Sequence, residues 1–128
     1  MKSKYMDSDP LYAIERGYNE DTRMLMFHST PIAFERLEEA LSIINRYNVF
    51  DAKKVFEVLS RYFGKDFHYI IGREYSVVVY VLPHNGLQFP MFESDTKDQS
   101  EMRDLREELI ADECDYDRIG KSIRIWWD

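Results

Sequence analysis

Apolar residues change their spacing several times along the chain, and each spacing predicts an element. From Pro31 to Tyr47, the residues Ala33, Leu37, Ala40, Leu41 and Ile44 recur at the three- and four-residue intervals of one helical face. Ser29-Thr30-Pro31 supplies a cap followed by proline at the first helical position. After Asn48-Val49-Phe50, Asp51 reads as a second cap, and Val55, Phe56, Leu59, Tyr62 and Phe63 outline a second helix stopped by Gly64. The two helices are expected to pack as an antiparallel hairpin or to cross at an angle, with both stripes on one core.

Strand patterns surround this pair. The short apolar run from Arg23 to His28 predicts a strand buried on both faces. Phe67 to Ile71 and Tyr75 to Leu82 are rich in β-branched and aromatic residues. Gly72-Arg73-Glu74 between them reads as a three-residue hairpin loop, the alternative being one continuous strand with a glycine bulge. Asn85-Gly86 marks a turn, and Leu87 to Phe92 returns as a short or edge strand because of Pro90. A third helix is expected from Ser100 to about Asp112, with Met102, Leu105, Leu109 and Ile110 facing inward. Ile119-Gly120 reads as a turn, and Ile123 to Trp127 as a closing strand. Residues 1–10 are polar and end in Asp9-Pro10, the pattern of a frayed tail, and Leu11 to Gly17 predicts two helical turns closed by glycine.

These elements predict a single α+β domain: a mixed or antiparallel sheet of four to five strands with about three helices packed on one face. The length of 128 residues fits one core, and 45% hydrophobic with 15% aromatic residues is too much apolar material for a disordered chain. Cys114 is the single cysteine, so no internal disulfide forms and a reducing, cytoplasmic setting is expected. Neither a membrane span nor a signal-peptide pattern is expected from the apolar runs.

Charge sharpens the picture. The whole net charge of −7 resides in Glu93 to Arg118, where eleven acidic residues face four basic ones; elsewhere the signs balance. Carboxylates this dense repel one another unless they stay solvated or meet a positive partner. Asp104, Glu107, Glu108 and Asp112 occupy the outer face of the third predicted helix, and Glu113, Asp115 and Asp117 follow it. Such a surface can pair with the lysines and arginines that otherwise hold phosphates. The plainer reading is a solvated helix face. Tyr116 and the pair Trp126 and Trp127 are candidate apolar anchors. Neighbouring residues of a strand point to opposite faces, so one tryptophan fills the core while the other is free to reach solvent or a partner.

Chemistry-bearing motifs are scarce. Asp112, Glu113, Asp115 and Asp117 lack the spacing, central glycine and terminal glutamate of a calcium loop, and the three histidines are scattered, so neither metal nor cofactor is expected. Cys114 lies between Glu113 and Asp115, which disfavour a thiolate. His68 with Glu74, or His84 with a nearby acid, could serve acid–base chemistry only as any small protein could. Tyr62, Tyr69, Tyr75 and Tyr80 with Arg61 and Arg73 would suit an RNA-binding sheet face, but the motif for it is missing and the acidic balance opposes it.

The expected function is a non-enzymatic binding module whose acidic surface docks on a basic, nucleic-acid-binding protein without touching nucleic acid itself. Phage inhibitors of host nucleases or defence complexes, and immunity proteins against nuclease toxins, work by this physics. The competing expectations are a small metal-dependent enzyme acting on nucleotides or nucleic acid, and a homo-oligomeric structural protein, with a homodimer formed through a strand near Phe89 to Phe92 or through Ile123 to Trp127.

Overall fold

Two eight-residue strands, β4 (Phe67–Glu74) and β5 (Ser76–Pro83), form the centre of the computed structural model, which describes residues 4–20, 25–84, 99–117 and 122–128. Their dense Val, Ile and Tyr content suits interior strands. They pair antiparallel up to Glu74↔Ser76, leaving Tyr75 alone at the tip with φ of +66°. Gly72-Arg73-Glu74 is therefore strand and not loop. The reason lies across the ladder: a Cβ on Gly72 would sit 2.2 Å from the Phe27 carbonyl oxygen. This glycine marks a close backbone approach.

With β1 (Met26–His28), β6 (Glu113–Asp117) and β7 (Ser122–Trp126), these strands make a five-stranded antiparallel sheet in the order β1-β4-β5-β7-β6. The strand expected near residues 23–28 is a short outer one with Met26 exposed, so it is not buried on both faces. β7 lies between β5 and β6, which removes it as a strand able to pair with a second copy. Among the described residues β1 and β6 are the outer strands. The strand expected at 87–92, the Asn85-Gly86 turn and the Ile119-Gly120 turn lie outside the described residues.

Helices cover one face of the sheet. α1 (Pro10–Glu15) is capped by Asp9, whose carboxylate accepts from the Leu11 amide, and it continues as a π-helical turn over Arg16–Glu20. Gly17 does not end it; the Phe27 ring occupies the space where a Cβ would lie. Within the stretch expected as a tail, Asp9 pairs with Arg36 at 2.9 Å and the Tyr5 hydroxyl donates to Glu39.

The first expected helix starts later than its proline. Ile32 exchanges both backbone hydrogen bonds with Tyr69, holding that stretch extended. A 3-10 turn (Phe34–Arg36) then leads into α2 (Leu37–Ile44), with Leu37, Ala40, Leu41 and Ile44 buried as the periodicity predicts, whereas Ala33, expected on the same stripe, precedes the helix and is exposed, and the helix ends before the expected Tyr47. A small ribbon, β2 (Arg46–Tyr47) with β3 (Phe50–Asp51), connects to α3 (Ala52–Tyr62). The Asp51 carboxylate caps α3 by accepting from the Lys53 amide. Gly64 follows the helix at φ +63°, as expected of a stop signal.

α4 (Gln99–Leu109) buries Leu105 and Leu109 and half-buries Met102. Ile110, expected on the inward stripe, lies beyond the helix and is exposed. The core joins these helices to Tyr69, Ile71, Val77, Val79, Val81, Ile123, Ile125 and Trp127 from one face of the sheet. The class is α+β, one compact unit with four α-helices among the described residues. No helix among the described residues is long and apolar enough to cross a membrane.

Candidate docking surface

The described part of the acidic stretch, 99–117, folds into α4, a tight turn and β6, so it runs along one edge of the sheet. Asp104 and Glu107 are exposed on α4. β6 alternates: Cys114 and Tyr116 turn toward the helical layer, while Glu113, Asp115 and Asp117 face the other way and are exposed. No strand was expected here from the sequence, although the alternation of these acids with Cys114 and Tyr116 is the period-two signal that marks one.

Several of these carboxylates already serve the fold. Glu108 takes a guanidinium hydrogen from Arg61 at 2.8 Å and the Tyr62 hydroxyl at 2.6 Å, and the two bonds hold its carboxyl below the usual range. This ties α4 to α3. Glu113 pairs with Arg124 at 2.7 Å, with Asp115 more distant from the same group at 4.0 Å. Asp112 accepts from the Asp128 amide at 2.7 Å. Asp104, Glu107 and Asp115, the last 73% exposed, are the acids most open to a partner.

The tryptophans divide as strand geometry requires. Trp127 is fully buried: its indole N–H donates to the Leu109 carbonyl at 2.9 Å and its ring meets Phe50 edge-on at 5.0 Å. It is a core residue, so its expected role as a surface anchor is corrected. Trp126 is half-buried on the opposite face, donating to the Glu74 carbonyl at 2.8 Å, with Val78 fully buried opposite it in register. Tyr116 is half-buried against the core.

That second sheet face carries a polar cluster which sequence spacing did not reveal. One oxygen of Glu74 accepts from Arg124 Nε and Nη2, both at 2.8 Å; the other accepts from Tyr80 and meets His28 Nε2 at 2.8 Å. His28 also packs edge-on against Tyr80. The four residues come from β1, β4, β5 and β7, so only the sheet register brings them together. Glu74 thus takes His28 as its histidine, while His68 packs on His84 at 3.9 Å.

Burial pushes the Glu74 carboxyl up, but the bonds from Tyr80, His28 and Arg124 outweigh it and leave it below its ordinary 4.5; burial and Glu74 push the Tyr80 phenol up to about 12. A depressed folded-state carboxyl stabilises above its unfolded pKa and loses that contribution as pH falls through the folded one. In urea unfolding measured between neutral and strongly acidic pH, Glu74→Gln is expected to be the less stable protein at neutral pH. The gap should close below the ordinary 4.5. A gap that persists unchanged into acid would refute the assignment of that stability to the ionised carboxylate.

The aromatic RNA-binding face is not assembled. Tyr69 is fully buried on the helical face, and Arg73, 9% exposed, sits between the Tyr18 and Tyr47 rings at 5.5 and 5.4 Å. Tyr80 faces the other way and Tyr62 lies on α3. Between α4 and β6, Met102, Arg103, Arg106 and Cys114 line an open pocket of about 270 Å³. Burial, then Asp115, pushes the Cys114 thiol up to about 12 against the opposing pull of Arg106, as its acidic neighbours led one to expect. Among the described residues no three or more histidines, cysteines and acids gather as a metal-binding set. No protein family, curated protein or solved structure matches the chain.

Proposed function

We propose that this protein is a non-enzymatic binding module that docks its α4–β6 edge on the basic nucleic-acid-binding surface of another protein and inhibits it by occlusion. The observation that supports this reading is the placement of exposed carboxylates on both sides of the β6 backbone: Asp104 and Glu107 from the helix, Asp115 and Asp117 from the strand. Opposite charge on a partner would speed encounter and fix orientation, while contacts at the centre would hold the complex. A nuclease, a nucleic-acid-binding defence complex or a nuclease toxin offers such a surface. The buried, free Cys114 fits a reducing cytoplasm as the setting.

The test uses the tagged protein as bait in its native cells. Retained proteins are identified by mass spectrometry after washes at low and at high salt, since exposed charge pairs weaken as the screening length shrinks. A basic nucleic-acid-binding protein, held at low salt and released at high salt, is the expected result. The control variant is Asp104→Lys with Glu107→Lys and Asp115→Lys, which spares Glu108, Asp112 and Glu113 because the fold uses them. It should remain cooperatively folded, with a midpoint slightly below the parent's because Asp115 lies opposite Arg124 in the ladder at 4.0 Å, and lose at least about tenfold of the captured protein, the scale of a few desolvated charge contacts. Undiminished capture by this variant would remove the proposal.

A further inference from the structure

The turn joining α4 to β6 is an ordinary helix stop with an unusual residue in it. The Ala111 amide donates to the Arg106 carbonyl at 3.0 Å and the Ile110 amide to the Glu107 carbonyl at 3.2 Å. Those two bonds define a Schellman motif with Ile110 at the position after the cap, where the backbone is left-handed and glycine or asparagine is the usual occupant. Ile110 adopts φ of +54°. A β-branched side chain is strained there, because its Cβ substituents crowd the following carbonyl.

Packing does not offset that strain. Ile110 is 57% exposed and belongs neither to the core nor to the half-buried residues packed on it. Met102, Leu105 and Leu109 take the inward positions instead. A strained, exposed isoleucine is thus held out at the corner of the acidic edge, within three residues of Glu107, Glu108, Asp112 and Glu113. Residues held in unfavourable backbone conformations of this kind cluster at functional sites.

We infer that Ile110 is the apolar anchor of the docking edge, and that it inserts into an apolar cleft rimmed by lysine and arginine on the partner protein. The inference rests on the docking role proposed above and adds to it where the desolvated contact lies and what receives it. An apolar centre within a charged rim is how such interfaces divide affinity from steering. Glu107 and Asp104, both exposed on α4, give the rim its required sign. Tyr116 and Trp126, half-buried and already engaged, are less able to play this part.

The probe is the heparin-retained protein fraction of the native cells, passed at low salt over the immobilised parent, Ile110→Gly, Ile110→Leu and the triple-lysine variant, and quantified by mass spectrometry. Ile110→Gly is expected to reduce, by at least about tenfold, those proteins that the triple-lysine variant fails to hold, the usual scale of an anchor truncation. Ile110→Leu should retain them within roughly threefold, since it keeps the apolar volume. In thermal unfolding the glycine variant should melt at or above the parent, by up to roughly 3–5 °C, because glycine relieves the left-handed strain.

Parent-like retention by Ile110→Gly, with loss by the triple-lysine variant, would overturn the anchor while leaving the docking reading in place. Loss by neither variant, or no protein held by the parent, would overturn both. A glycine variant that melts well below the parent would overturn the anchor too, by showing that Ile110 supports the fold.

Discussion

Trp127→Ala is expected to destabilise the protein by about 3–5 kcal/mol, the range for removing a buried tryptophan. The ring is fully buried and meets Phe50 edge-on, so its loss leaves a cavity bordered by β3 and α4 which rigid elements close only partly. The indole N–H also satisfies the carbonyl of Leu109, the last residue of α4, and helix-end carbonyls have no partner within the helix. Trp127→Phe should refill much of the volume yet leave that carbonyl unpaired, costing about 1–3 kcal/mol. Trp126→Ala should cost less than Trp127→Ala, because Trp126 is half-buried on the opposite face. Urea midpoints for the three variants check the order. Equal losses for the two alanine variants would contradict the assignment of Trp127 to the core.

Gly72→Ala should be nearly as damaging, at about 3 kcal/mol, the upper end for forced overpacking. The added methyl would meet backbone atoms, the Phe27 oxygen at 2.2 Å and His28 Cα at 2.9 Å, which have no rotamer to escape into. β1 must then move away from β4. The hydrogen bonds from the Ser29 amide to Ile71 and from the Tyr75 amide to Leu25 would weaken with it, as would that from Tyr18 to the Gly72 carbonyl. His28 would also be drawn away from Glu74. Hydrogen exchange should show lost protection at Ser29 and Tyr75 ahead of the β5–β7 ladder. A variant within about 0.5 kcal/mol of the parent, the scatter of inert substitutions, would rule out this close approach.

The contrast between Gly64 and Gly72 explains much of what the sequence misled on. Gly64 ends α3 at positive φ, a local demand that a local pattern reveals. Gly72 answers a non-local one, made by a strand more than forty residues away, and the same residue type therefore resembles a loop until the partner strand is in place. Ile110 presents the reverse case. Its apolar side chain matches the helical stripe of α4, but the Schellman turn ends the helix one residue earlier and rotates it outward. The acidic surface was legible as composition. Its division into acids bound by Arg61, Tyr62 and Arg124 and acids left open was not, because those partners come from α3 and β7.

Read alone, the sequence determined the α+β class, the stripe of α2 from Leu37 onward, that of α3 and that of α4 as far as Leu109, the Asp51 cap, the Gly64 stop, the two central strands and the opposite facing of the two tryptophans. Each of these follows from interactions within a few residues or from side-chain periodicity along a single element. Only the tertiary structure decided the strand order, the interior place of β7, the choice of Trp127 for the core and the gathering of His28, Glu74, Tyr80 and Arg124 on one sheet face. Those outcomes depend on register between strands distant in sequence, and a shift of one residue would send every one of these side chains to the other face.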